Sequence, residues 1–233
     1  MNKFLSILLP HCDDELFVLP FIEKKTSEGY VVCVFYLVEA NLQRQKESEE
    51  LFSQYKAVKI FHLGSLHNIQ DGKLSSSLDY IFEILSNYAE IHSCEILMTP
   101  MFEGGHIDHD ATFQIGYRLG SKLKKDHFAF STYNAYETPF VRVATVFQKI
   151  VTGKIESVRF TFLEGLNYLR QCFRFKSQFV ILTFLFPGLV RTFLIKKKIE
   201  ILKVEDFNPQ ALHPGRIFYK SALKDKVKGF LKC

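Results

Sequence analysis

At 233 residues the chain is long enough for one sizeable hydrophobic core and short for two. A composition of 47% hydrophobic and 24% charged residues excludes a disordered or low-complexity protein. The net charge of +5 hides an asymmetry: residues 154–233 carry 16 Lys/Arg and 6 Asp/Glu, leaving 14 and 19 for residues 1–153. A basic C-terminal part suits phosphate groups, an anionic bilayer or nucleic acid, and equally an ordinary solvated surface. Nucleic acid is the poorest of these partners, because no recognised module is visible. The five cysteines are scattered, odd in number and without a CxxC pair, which places the chain in a reducing, cytoplasmic compartment.

Taken in chain order, Phe4–Leu9 is an apolar run of strand length. One lysine precedes it and no small-residue cleavage site follows, so it reads as a buried strand rather than a signal peptide. Pro20 either kinks the next helix or occupies its first turn. Tyr30–Val38 is a second strand, Leu42–Tyr55 a helix with a charged face, and Val58–Leu63 a third strand. Leu78, Ile81, Leu85 and Ala89 share one helical face before a fourth strand, Glu95–Thr99. Ala111, Ile115, Leu119 and Leu123 share another after it, and Phe128–Tyr133 is a fifth strand candidate. Runs apolar on both faces, alternating with helices, predict a Rossmann-like α/β fold: an open, mostly parallel sheet with helices on both faces. A helical or irregular basic extension completes it, the whole forming one domain over 1–233, with the sheet core in 1–140.

Ligands of such sheets bind beyond the carboxyl ends of the strands. Two of the predicted strand ends are rich in chemistry. Strand one runs into Pro10-His11-Cys12-Asp13-Asp14-Glu15, and strand four into Glu103-Gly104-Gly105-His106-Ile107-Asp108-His109-Asp110. Alone, the first also reads as a helix N-terminus and the second as polar loop. Together they offer imidazole and carboxylate groups that suit a catalytic zinc site with three protein ligands and a water.

His-Cys-Asp-Asp-Glu resembles the His-Pro-Asp-Asp-Glu signature of the PIG-L/LmbE-like zinc deacetylases. Gly-Gly-His106-Ile-Asp108-His109 resembles that family's second motif, usually Gly-Gly-His-Pro-Asp-His. Supporting matches over roughly the first 140 residues are Arg44 with Glu47 and Asp71-Gly72-Lys73-Leu74; Lys176-Ser177-Gln178 is a weaker echo. The resemblance implies a metal-dependent hydrolase that removes acetyl groups from N-acetylglucosamine-type sugar conjugates. It assigns the metal, zinc or alternatively ferrous iron, to His11, Asp14 and His109. Asp13 matches the general base, His106 the group that stabilises the oxyanion or acts as acid, and Asp108 the partner of His106. Cys12 and Ile107 replace prolines, which supply no ligand, so the site is expected to survive; Cys12 is expected to point into the fold. Another metal-assisted amide or ester hydrolase, or a non-catalytic sugar-conjugate binding protein, is the alternative.

Arg44 is read as a contact to substrate hydroxyls or phosphate, or as a surface salt bridge. Glu15 reads as a helix cap, Glu103 and Asp110 as loop polarity, and His62, His67, His92 and His127 as structural. His213 sits in a turn that could overhang the site. Phe179–Ile195, followed by three lysines, is broken by Pro187, Gly188 and Arg191 and is short for a bilayer span. It leaves three readings: a buried helix pair as the default, an oligomer contact, or peripheral contact with the inner face of a membrane.

Overall fold

The computed structural model describes residues 3–134 and 141–208; His213 and Cys233 lie outside them. Five parallel strands form first: β1 (Lys3–Leu9), β2 (Tyr30–Tyr36), β3 (Val58–His62), β4 (Ile96–Pro100) and β5 (Asp126–Phe130). Two short strands, β6 (Tyr133–Asn134) and β7 (Arg142–Val143), pair with each other, and β8 (Val151–Arg159) and β9 (Lys198–Phe207) extend the main sheet in antiparallel sense. Its order is β3-β2-β1-β4-β5-β9-β8. The chain moves outward through β1, β2 and β3 and then returns to the other side of β1, so the order reverses between β1 and β4. That reversal opens a crevice at their carboxyl ends.

Side-chain alternation assigns each face its helices. Leu5, Ile7 and Leu9 of β1, with Val32, Val34 and Tyr36 of β2, join one core. It is covered by α1 (Leu19–Ser27), by the end of α2 (Leu42–Phe52), and by two helices of the C-terminal part. Leu8, Cys33, Phe35 and Leu97 face the other way. There they meet α4 (Leu78–Leu85), α5 (Ala89–Ser93) and α6 (Ile107–Leu123); the single-turn α3 (Leu63–Leu66) closes β3. Pro20 falls in the first turn of α1, where a missing N–H costs nothing. The apolar face of Leu78 to Ala89 is split between α4 and α5, and the predicted Leu42–Tyr55 helix stops at Phe52. The four described cysteines are free and buried.

The C-terminal part contains more strand than the sequence reading placed there. Between β8 and β9 the chain forms α7 (Phe162–Cys172) and α8 (Phe179–Val190), the latter continuing as a π-helical turn over Arg191–Lys196. Thr161 and Glu164 close a capping box on α7. Burial, the default for Phe179–Ile195, holds for one face only. Leu182, Leu185 and Leu189 are buried, whereas Phe179, Val180 and Phe184 are more than half exposed.

Candidate active site

The pairing of β1 with β2 runs past the end of the strand, since Leu37 and Val38 N–H donate to the carbonyls of Leu9 and Pro10. The chain then turns sharply. Asp13 has φ 112°, a conformation unusual for a residue with a side chain, and its N–H donates to the Glu15 carboxylate. His11 N–H donates to Asp14 Oδ2 at 3.0 Å. These contacts place His11, Asp13 and Asp14 at the mouth of the crevice, ahead of a 3₁₀ turn over Asp14–Phe17.

The second cluster begins α6. Asp110 is buried and accepts N–H bonds from Glu103 and Gly104, folding the loop back onto the helix start. Gly105 lets the loop approach β6: a Cβ there would lie 2.1 Å from the Tyr133 carbonyl oxygen. His109, in the first turn of α6, points into the crevice. Its Nδ1 lies 2.9 Å from Thr132 Oγ1, and that hydroxyl donates to Glu103 Oε1 at 2.8 Å. Glu103 also accepts from the Ser131 hydroxyl, the Thr132 N–H and the Asn134 amide. Glu103 and Asp110 are therefore structural anchors of the site rather than loop polarity.

The three expected ligands meet. His11 Nδ1 is 3.3 Å from Asp14 Oδ2, His109 Nε2 is 3.1 Å from Asp14 Oδ1, and one donor atom of each lies within 4.8 Å of the others. All three side chains are buried. Burial disfavours the charge on Asp14, but the His109 and His11 imidazoles outweigh it and hold the carboxyl well below the usual range. A second group, His11, Asp71, His106 and Asp108, also converges within 4.8 Å, through the other nitrogen of His11. It is more open, with Asp71 61% exposed, and Asp108 is already engaged by the N–H groups of Gly72 and Leu74. His11 Nε2 is buried, 3.3 Å from carboxylate oxygens of both Asp71 and Asp108, and makes no well-aligned hydrogen bond. A histidine that offers one nitrogen to a metal and the other to a carboxylate is common in metal sites. Two imidazoles and a carboxylate fit zinc or ferrous iron.

Asp13 lies beside this group without joining it. Arg44, on α2, bonds its Oδ1 and also donates to the Cys12 carbonyl at 2.9 Å, so Arg44 is bound into the site and is no surface salt bridge. Burial raises the Asp13 carboxyl and Arg44 opposes that rise. Beneath them Glu15, fully buried, accepts from Asp13 N–H and from Ser48, and burial pushes its carboxyl up to about 7. The Cys12 thiol is buried and pushed far above its normal range by desolvation, which keeps it protonated.

His106 is the N-cap of α6, and its Nδ1 accepts the Asp108 N–H at 3.2 Å. The Asp108 carboxylate is farther, 3.8 Å from Nδ1. The backbone of Asp108 thus takes the position anticipated for its side chain, and the ring proton is fixed on Nε2. Burial, then the neighbouring imidazoles of His11 and His109, lower the His106 pKa to about 3.

Elsewhere, His67 bonds Tyr80, His92 bonds the Ser86 carbonyl, His62 stacks on Tyr36, and His127 lies buried against Thr99, all outside the crevice. The two supporting motifs meet: Glu47 accepts from the N–H and hydroxyl of Ser177. The sequence reading did not single out Asp71 or Thr132 as members of the site. An Asp-Gly turn after β3 was a usable signal for Asp71; nothing in the local sequence marks Thr132.

The family model described as PIG-L, GlcNAc-PI de-N-acetylase, matches residues 6–119. This stretch belongs to the PIG-L family. Every residue of the crevice from His11 to His109 falls within the PIG-L stretch, whereas Thr132 and the α7–α8 unit lie beyond it. No curated protein matches the chain by sequence. Among solved structures, the zinc-inhibited form of teicoplanin deacetylase Orf2 has a TM-score of 0.65 at 13% identity, covering 90% of this chain and 100% of that one. A deacetylase in complex with teicoplanin has 0.58 at 12%, covering 88% and 100%. N,N'-diacetylchitobiose deacetylase from Pyrococcus horikoshii, complexed with its inhibitor, has 0.55 at 17%, covering 90% and 88%. At such identities the likeness establishes the common fold, a mostly parallel mixed sheet with helices around it, and that fold extends well past the PIG-L stretch.

Proposed function

We propose that this protein is a metal-dependent N-deacetylase acting on the acetamido group of an N-acetylglucosamine-type sugar conjugate. The observation that carries the reading is the convergence of His11, Asp14 and His109 with Asp13 alongside and His106 opposite, inside a PIG-L stretch. The solved chains that share the fold and are named deacetylases support it. His11, Asp14 and His109 would hold zinc or ferrous iron, which supplies a Lewis acid able to polarise an amide carbonyl and acidify water.

The remaining steps belong to the side chains. Arg44 holds Oδ1 of Asp13, which leaves the other carboxylate oxygen to take a proton from the attacking water. His106, accepting at Nδ1, presents Nε2–H as a neutral donor to the oxyanion of the tetrahedral intermediate. A neutral ring is a poor proton source, so the proton gained by Asp13 is the one delivered to the departing amine, and free amine and acetate result. Asp108 holds the Gly72–Leu74 turn against the site and so keeps Asp71 near His11 and His106. The C-terminal extension, 141–233, is read as the substrate-side part of one domain.

The test is acetate release from a panel of N-acetylglucosamine derivatives by purified protein of known metal content. Release that disappears with a chelator and returns with zinc or ferrous iron supports the reading; a metal-loaded protein that releases no acetate from any of them overturns it.

A further inference from the structure

The α7–α8 unit presents an apolar surface that the chemistry at the crevice does not use. Phe162, Leu163 and Leu166 of α7 are 49–75% exposed, and Phe179, Val180 and Phe184 of α8 are 55–60% exposed. Scattered exposed apolar residues need no explanation, but six on two consecutive helices that pack together make an apolar surface that does. The charge around it is one-sided. From Arg159 to Lys198 the chain has eight Lys/Arg and a single acidic residue, Glu164. At the carboxyl end of α8, Lys196 bonds Thr145, and its ammonium pKa is lowered by burial and by the positive charges of Arg191, Lys198 and Arg142, with Glu200 opposing. Cations gathered closely enough to repel one another suit a polyanionic surface.

We propose that this unit docks the protein on an anionic bilayer surface, with the apolar face of α7 and α8 in the acyl boundary and the Arg142, Arg191, Lys196 and Lys198 group at the phosphates. The arrangement lies on a membrane and does not cross it. Lys176–Lys196, 21 residues, is long and apolar enough to span, with a mean hydropathy of 1.8 over its most apolar 18-residue window. Yet Leu182, Leu185 and Leu189 are locked into the core, and Gly188 packs so closely on Val143 that a Cβ would lie 2.4 Å from its side chain. A helix held to the protein along one side offers lipid only the other side. A second copy is a poor occupant, because a two-fold contact would set this excess of cations against itself. Docking also orients the crevice: Ser177, just before α8, bonds Glu47, one helical turn from the Arg44 that holds Asp13.

The test is co-sedimentation of the full chain with vesicles of phosphatidylcholine alone or mixed with phosphatidylglycerol. The protein is expected to pellet with the mixed vesicles at low salt, and to be released near ~1 M salt, where the screening length is about 3 Å. The exposed double variants Phe179→Ser/Phe184→Ser and Arg191→Glu/Lys197→Glu are each expected to weaken binding about tenfold or more, with unchanged circular dichroism. Absence from the mixed-vesicle pellet at low salt overturns the proposal, as does equal binding to neutral vesicles with no salt effect. So does a dimer in light scattering that Phe179→Ser/Phe184→Ser converts to monomer. The readout is binding and not turnover, so it stands apart from the outcome of the acetate assay.

Discussion

Asp13 and Glu103 show two ways in which a buried carboxylate serves a site. Asp13 faces the crevice and is held by one arginine, so it is available for chemistry. Asp13→Asn keeps the shape and removes the base. It is expected to lower acetate release by about 10²–10⁴-fold while bound metal stays stoichiometric, read by turnover and metal analysis of the same sample. Glu103 faces inward and is consumed by four donors. Glu103→Ala strands those donors and frees Thr132 from its role of aiming His109. The expected outcome is a loss of about 3 kcal/mol in urea unfolding and a metal affinity weaker by about 10–100-fold in a competition titration. The motif residues were legible because their kinds and spacing carry the chemistry: two imidazoles and an aspartate beside two strand ends. Glu103 was visible too, but its importance comes from Ser131, Thr132 and Asn134, which approach only through the β4–β5 pairing. A chain of contacts across some thirty residues leaves no local pattern to read.

Elements were readable in proportion to how local their causes are. β1, β2, β4 and β5 announce themselves because both faces are buried, and α6 because Ala111, Ile115 and Leu119 repeat at helical spacing. β8 was not readable: its burial is nearly continuous exposure between Val151 and Val158, and it is a strand because β9 pairs with it. The break between α4 and α5 was also hidden. A shared apolar face runs through both, and the turn at Ser86–Tyr88 is capped by carbonyls that a pattern of side chains does not report. Close backbone approach is another property of element pairs. Gly64, in α3, sits where a Cβ would fall 2.1 Å from the Val38 carbonyl carbon. Gly64→Ala must push β3's exit away from β2. We expect a loss of about 1–3 kcal/mol, seen as a melting temperature lower by roughly 2–9 °C in calorimetry.

Across the whole molecule, one imidazole sealed in the core contributes to acid sensitivity apart from the groups of the crevice. His127 is buried between β5 and α6, touches Thr99 Oγ1 through Nε2, and burial lowers its pKa to about 3. The unfolded chain takes up this proton near pH 6.5, the native protein only near 3. The neutral ring therefore contributes fully above pH 6.5, and its contribution is lost as pH falls from 6.5 towards 3, at up to about 1.4 kcal/mol per pH unit. His127→Gln cannot titrate. Its stability, measured by urea unfolding, is expected to decline less than that of the wild type between those pH values. Elsewhere the fold separates its tasks in space. Arg159 pairs with Lys198, and Phe160 N–H bonds the Lys197 carbonyl, so the excursion that carries α7 and α8 departs from and rejoins the sheet at one spot. A detour with neighbouring endpoints can lengthen at its exposed turns at little entropic cost and without shifting strand register. Evolution can thus redecorate the exposed faces of the outer helices, while their buried faces and the Ser177–Glu47 bond stay tied to the reaction centre.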